Sequence, residues 1–395
     1  MAQPTQSTSG VALDSERILT TFLEMVRINS PSGDEGLMRN YLIQRVSALG
    51  LTHQTDAGGN LIVEVPGQQA THEEILILSG HMDVVPPCLD IHPSVASVTV
   101  DGQPDKLITS DNTTVLGADD KAGLTPILEA IAHARTRGLP MPNCRLIFTT
   151  REETSLGGAK ELADAALNAR FAVIFDHTGR QGTIINQAPT YIRFTMDCHG
   201  KSVHAGIMPE AGVNAIVLAS RIIRRMSEAG LTGRVDENTT CNIGFIEGGK
   251  ATNIVPDAVT ITGELRGHEE TTLNDRIARI QAIAQEESAA MAGSDVTFSH
   301  RIDFHGYRLA DDEPDLRRVQ QACGNLGITP QCIRTNGGSD NNVFMKRGLK
   351  GVVMSAGYVE PHSLKERVKL SEMLTCTTII LEILAVFARE PQASP

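Results

Sequence analysis

Tryptophan is absent from the chain, and aromatic residues of all kinds make up only 4% of its 395 residues. Flat platforms on which bases or sugars stack are therefore scarce. Seven cysteines are scattered, odd in number and never spaced Cys-x-x-Cys. That spacing excludes a disulfide framework, thiolate zinc sites and thioredoxin-type chemistry, and makes a reducing compartment the expectation. No run of Lys and Arg exists either: 35 basic against 47 acidic residues leave a net charge of −12. A backbone binder of nucleic acid needs a basic face to replace counterions, so no nucleic-acid partner is expected. The apolar stretch around residues 377–388 is broken by Glu382 and falls short of the ~20 residues a bilayer span needs. Residues 1–10 lack the basic-then-apolar order of a signal peptide. The expectation is a cytoplasmic protein with no membrane partner.

What remains is globular composition, 41% hydrophobic and 21% charged, in a chain long enough for two or three domains. Apolar residues recur at helical spacing over 14–29 and 35–50, with Asp14 or Ser15 able to cap the first helix. Short β-rich runs at 60–65 and 75–78 precede a helix over 121–137, a strand at 145–150, a helix at 156–166 and a strand at 171–175. Strands alternating with helices predict a mostly parallel sheet covered on both faces. From Pro189 the pattern changes. Tyr191, Arg193, Thr195 and Asp197 alternate with Ile192, Phe194, Met196 and Cys198, as in a strand with one exposed face. A helix over 213–229, strands at 240–245 and 258–265, and a helix over 271–292 complete a small α+β sandwich. Helix and strand then alternate again to a last helix at 371–388. The expectation is an α/β domain (1–188 and 301–395) interrupted by an inserted α+β domain (189–300).

Acids and imidazoles gather where predicted strands end, which is where an open α/β sheet binds its ligands. His81 and Asp83 follow the 75–78 strand and are two residues apart, so both point to one side of an extended segment. A metal-bound imidazole commonly gives its other N–H to a carboxylate, although a solvated loop explains the pair equally well. Asp119 and Asp120 open the next helix. One of them is explained as its N-cap, and the other needs a cation or a cage of hydrogen bonds if buried. Glu152 and Glu153 end the 145–150 strand. Two adjacent buried Glu are costly unless their tasks differ; one can bind a metal while the other moves a proton. Asp176 ends the 171–175 strand, and His362 comes late, before the final helix. Together these segments hold enough imidazole and carboxylate for two divalent ions. Without thiolate, that donor set favours zinc, with cobalt or manganese as substitutes.

The chain is similar to the co-catalytic zinc exopeptidases that include peptidase T, bacterial dipeptidases, glutamate carboxypeptidase and aminoacylases. The matching segments are GHMDVVP, GADDKAG, TTREETSLGG, FDHTG, GKSVHAG, GGKATNIVP and EPHS, in the family's order from residue 80 to 363. The resemblance implies that His81, Asp119, Glu153, Asp176 and His362 bind two zinc ions per chain, with Asp119 bridging. It implies a cis bond between Asp119 and Asp120, Glu152 as general base and Asp83 as the orienting partner of His81. It further implies that the inserted domain is a lid and dimerisation domain. His204 and Asn253 would contact the scissile carbonyl from it, often in the partner subunit's site, and Arg266 would bind a substrate carboxylate. By their residue types alone, His204 is an ordinary loop residue, Asn253 a turn cap and Arg266 half of a surface ion pair.

Asp at 176 and the motifs GADDKAG and GGKATNIVP are most similar to the peptidase T branch. FDHTG departs from the Asp-Gly-Gly of peptidase T itself, which bears on tripeptide specificity and leaves the metal chemistry untouched. The expected activity is hydrolysis of short peptides of the tripeptide aminopeptidase type. The alternatives are an aminoacylase or carboxypeptidase-type amidohydrolase acting on an acyl-amino acid, and, more distantly, a metal-binding scaffold without catalysis. A homodimer through the inserted domain is the expected assembly.

Overall fold

A computed structural model describes residues 12–389; the stretch 1–10 read above for a signal lies outside them. The chain forms two compact units. The first comprises residues up to Gln187, Arg308–Arg334 and Ser339 onward; the second comprises Ala188–Tyr307 with Thr335–Gly338.

In chain order the first unit begins with α1 Ser15–Val26, α2 Gly36–Ala48, β1 Thr52–Thr55, β2 Leu61–Val65, β3 Ile75–His81, β4 Ser94–Val100 and β5 Gln103–Thr109. It continues with α3 Ala118–Arg137, β6 Asn143–Thr149, α4 Gly157–Glu161, β7 Phe171–His177 and β8 Thr183–Ala188. The second unit contributes β9 Thr190–His199, α5 Ala215–Glu228, β10 Gly233–Asp236, β11 Thr239–Gly248, β12 Ala258–Gly267, α6 Glu270–Ala289 and β13 Asp295–Phe304. After β14 Tyr307–Arg308, the chain adds α7 Pro314–Asn325, β15 Gln331–Arg334, α8 Asp340–Lys346, β16 Gly351–Ser355, β17 Arg367–Lys369 and α9 Leu370–Phe387.

The large sheet runs β1-β2-β6-β3-β7-β16-β8-β14, with β15 against β8. Its centre, β6-β3-β7-β16, is parallel, while β1, β2 and β8 pair antiparallel. The expected mostly parallel sheet is thus a mixed sheet with a parallel core. Strands β3 and β7 are apolar and almost wholly buried because helices cover both faces. Helices α3, α7 and α9 share one apolar cluster with β3, β6, β7 and β16. Helix α9 has the length and apolarity to cross a membrane by composition alone, but 67% of it is buried in the fold. Its Glu382 accepts a hydrogen bond from Asn325.

The 156–166 helix breaks in two. Helix α4 stops at Glu161, and a 3-10 turn covers Asp164–Leu167. A three-stranded sheet, β17-β5-β4, was not read from the sequence, because β4 is mostly exposed and its period-2 signal is weak. In the second unit the antiparallel sheet β10-β11-β12-β9-β13 buries Ile192, Phe194, Met196 and Cys198 against α5 and α6, the face the alternation predicts.

Candidate metal centre

The parallel strands all end on one side, and the expected metal-site residues collect there. His81 is the last residue of β3, Glu152 and Glu153 follow β6, and Asp176 lies at the end of β7. Asp119 comes from the start of α3, and His362 from the segment between β16 and β17. Two arginine- and histidine-bearing turns adopt left-handed backbone: Arg151 has φ 52° and His362 φ 57°. Non-glycine residues there are held by their surroundings; for Arg151 the holder is Glu35 Oε1, which accepts its N–H at 3.0 Å.

Asp119 sits at the middle of the cluster. Its Oδ1 lies 3.0 Å from His81 Nε2, and its Oδ2 lies 3.3 Å from His362 Nε2. His81 Nε2 is also 3.6 Å from Asp176 Oδ1, and His362 Nε2 is 2.8 Å from Glu153 Oε1. The groupings His81–Asp119–Glu153 and His81–Asp120–Asp176 each place one donor atom apiece within 4.8 Å of one another. His81 is only 1% exposed, whereas the His362 side chain is 51% exposed.

Asp83 is buried behind His81. Its Oδ1 is 3.4 Å from His81 Nδ1, while its backbone oxygen is nearer at 3.0 Å. The same carboxylate accepts the N–H of Glu152 at 2.9 Å, the N–H of Glu153 at 3.2 Å and the Ser32 hydroxyl at 2.7 Å. It therefore ties the β3 imidazole to the backbone of both glutamates. Tyr358, buried, donates its hydroxyl to Asp176 Oδ1 at 3.1 Å. Thr149 donates to Asp340 at the start of α8.

The expected N-cap role of the aspartate pair is not what the structure shows. Asp119 and Asp120 are joined by a cis bond and lie outside helical φ/ψ, and the residue before the helix is Gly117. Asp120, wholly buried, accepts the His81 N–H at 3.2 Å, and its other oxygen has no hydrogen-bond partner among the described residues. Two glycines make room for it: a Cβ on Gly80 would stand 2.4 Å from Asp120 Oδ2, and one on Gly123 would stand 2.4 Å from Asp120 Oδ1. The backbone amides ahead of the helix are instead taken by Glu366, whose Oε2 accepts from Leu116 and Gly117 and whose Oε1 accepts from Asp119.

Electrostatically the cluster is overloaded with acid. Burial raises Glu152 well above its ordinary value, and the Asp176 charge adds to it. Burial likewise pushes Asp176 up to about 7 and Asp340 up to about 6. Asp120 rises well above the usual carboxylate range through burial and the Asp176 charge. Hydrogen bonding to Asp119 and Glu153 raises His362 to about 10. Burial alone would lower His81, but Asp119 and Asp176 hold it well above 6.5. Buried acids in such excess are costly without compensating cations, and neutral imidazole with carboxylate is a fitting donor set for divalent ions.

The three residues expected to touch substrate all lie in the second unit. The His204 and Asn253 loops pair with one another through the Ala205 N–H, donated to the Asn253 oxygen at 2.9 Å, and a bridge between His204 and Ile254. His204 is exposed, and its Nδ1 accepts the Gly206 N–H at 3.2 Å. That bond assigns the proton of a neutral ring to Nε2, leaving it as a donor. Arg266 makes a two-bond ion pair with Glu264 (3.1 and 3.0 Å) and lies 4.6 Å over the Tyr191 ring.

Sequence reasoning missed Ser32, Tyr358, Asp340 and Glu366. Of these, only Glu366 carried a local sign, being an acid four residues past His362.

Family models match in two places: the M20-type peptidase dimerisation domain over residues 188–292 and peptidase family M28 over residues 60–205. The uncharacterised protein YqjE of Bacillus subtilis is 31% identical over 385 residues, 95% of this chain and all of that one. A tripeptidase of Staphylococcus aureus, 32% identical, superposes with a TM-score of 0.85 over 95% of this chain and 99% of that one. The aminopeptidase PepT of Bacillus cereus, also 32% identical, gives 0.81 over the same shares.

Proposed function

For a chain that belongs to the M20 metallopeptidase family, on its peptidase T-like branch, we propose an exopeptidase that hydrolyses amide bonds of short peptides, tripeptide aminopeptidase in type, with two zinc ions per chain. The observation that carries this reading is the Asp119 carboxylate, whose two oxygens face two different imidazoles at 3.0 and 3.3 Å. A carboxylate shared between two ions needs that arrangement. His81, Asp119 and Asp176 would hold one ion, and His362, Glu153 and Asp119 the other. When bound, the ions would polarise the scissile carbonyl and acidify a water towards a pKa of ~7.

The rest is work for the chain's own residues. Glu152 would take the proton from that water and return one to the leaving amine; it is buried beside Asp176 and Glu153, and its backbone is fixed by Asp83. Asp83 would keep the His81 ring turned so that Nε2 faces Asp119. His204 Nε2 would donate to the developing oxyanion, Asn253 would assist it, and Arg266 would exchange Glu264 for a substrate carboxylate. The second unit would also form the homodimer, as its dimerisation-domain match suggests.

Zinc content measured together with turnover on tripeptides, dipeptides, N-acetylated and C-amidated analogues tests this reading. About two zinc per chain with cleavage that requires a free amine is expected. A preference for N-acylated substrates would move the protein to the aminoacylase reading. Failure to take up metal after reconstitution would overturn the mechanism.

A further inference from the structure

The chain between β16 and β17 touches the cluster three times. Tyr358 donates to Asp176 at 3.1 Å. His362 meets Glu153 and Asp119 at 2.8 and 3.3 Å. Glu366, four residues on and 1% exposed, accepts the N–H groups of Leu116 at 2.8 Å, Gly117 at 2.7 Å and Asp119 at 2.8 Å.

Those amides belong to the turn that presents Asp119. Gly117 there is left-handed, with φ 71°, and Asp119 and Asp120 have non-helical backbone at φ/ψ −80°/103° and −116°/27°. The first N–H groups of a helix have no acceptor within the helix, and buried N–H groups must be paired. A backbone of this shape therefore has no regular ladder to hold it. The Glu366 carboxyl takes that part, its two oxygens accepting all three N–H groups.

We propose that Glu366 is a positioning residue for the metal pair. It fixes the peptide from which the Asp119 side chain projects, and it fastens that peptide to the segment that carries His362. The two oxygens of Asp119 are thereby held at their separate distances from His81 and His362. This rests on the reading of Asp119 as a shared ligand. A Glu366 that only satisfied buried amides would affect folding stability and nothing else, and the two roles separate by experiment.

In Glu366→Gln the side-chain NH2 must face at least one of the three N–H groups, so at least one bond is lost. The folded, metal-free variant is titrated with zinc and, separately, with cobalt. The expected result is an affinity lower by roughly 10–100-fold, the range for partners that orient metal ligands, with an altered cobalt absorption spectrum. Glu366→Asp, which keeps the charge, should recover part of the affinity. Wild-type protein that binds two ions, beside a Gln variant of equal affinity and identical cobalt spectrum, would overturn the positioning role alone. Wild-type protein that bound no metal would overturn the functional reading and this proposal with it. Should the Gln variant not fold, amide exchange on the metal-free wild type decides. Leu116, Gly117 and Asp119 should be protected to the level of β3, and exchange at open-loop rates would overturn the anchor.

Discussion

Replacing Glu152 by Gln separates the two charges the buried site must manage. The substitution keeps the shape of the side chain and removes only the capacity to hold a proton as a carboxylate. A positioned general base contributes about 10²- to 10⁴-fold to rate, so kcat should fall by that factor, about 2.7–5.4 kcal/mol of transition-state stabilisation. The metal content should stay at the wild-type value, because the atoms facing the imidazoles come from Asp119, Glu153 and Asp176. Stability should move the other way. Burial and the Asp176 charge raise the folded-state pKa of Glu152 above its ordinary 4.5. A raised carboxyl pKa means that the folded state binds the proton more tightly. The associated stability is present below about pH 4.5 and is lost as pH rises through the folded value. At pH 7, above the ordinary carboxyl value, the raised pKa of Glu152 therefore opposes folding of the metal-free protein, and Gln relieves that opposition. Steady-state kinetics, metal analysis and thermal melts of the metal-free pair are the assays. A Gln variant with near-normal kcat, or one that melts well below wild type with its metal lost, would refute the reasoning.

Metal loading should release protons. His362 is raised to about 10 and His81 well above 6.5 in the metal-free protein, and a ligating imidazole must be neutral. Apparent zinc affinity should rise with pH between 6 and 8, with calorimetric enthalpies that depend on the ionisation heat of the buffer; buffer-independent enthalpies would contradict it. Asp83→Asn should weaken zinc binding by roughly tenfold, the low end of the 10–100-fold range for such partners. The Asp83 backbone oxygen still holds His81 Nδ1 at 3.0 Å, so a loss far beyond that range would show the carboxylate to matter in another way. His204→Ala should lower kcat by about 10²–10³-fold, as for removal of one oxyanion donor, with zinc content unchanged; an unchanged kcat would remove His204 from the reaction.

The residues gathered around Asp119 were legible because each follows an apolar run that had to be a buried strand, and parallel strands deliver their ends to one edge. His81, Glu153 and Asp176 are brought together by the register of β3, β6 and β7. The fold class and the inserted second unit were legible for a similar reason, since the period of the pattern changes at Pro189. The task of Glu366 was not legible despite its place four residues past His362, because its partners are backbone amides 247 to 250 residues away, and an amide leaves no mark in a sequence. The Asp119–Asp120 pair misled as a cap because local propensity favours capping, whereas the helix start here is governed by a distant carboxylate. Strands β4, β5 and β17 escaped because their alternation is weak or short: β4 is mostly exposed, β5 buries only Ile108 fully, and β17 has three residues.

The order of strands β7-β16-β8 in the large sheet has a consequence for the newborn chain. Strand β16 lies between two neighbours that precede it by more than a hundred residues, and His362 lies beyond it. At the ~5–20 residues per second of synthesis, the ribosome makes Asp176 some tens of seconds at most before His362, and the whole second unit emerges in between. Until then β7 and β8 lack the strand that lies between them, and of the five expected ligands His362 alone is unmade. On the proposed reading, an unfinished polypeptide of this kind lacks one of the two imidazoles that face Asp119, and hydrolysis would have to wait for the last part of the chain.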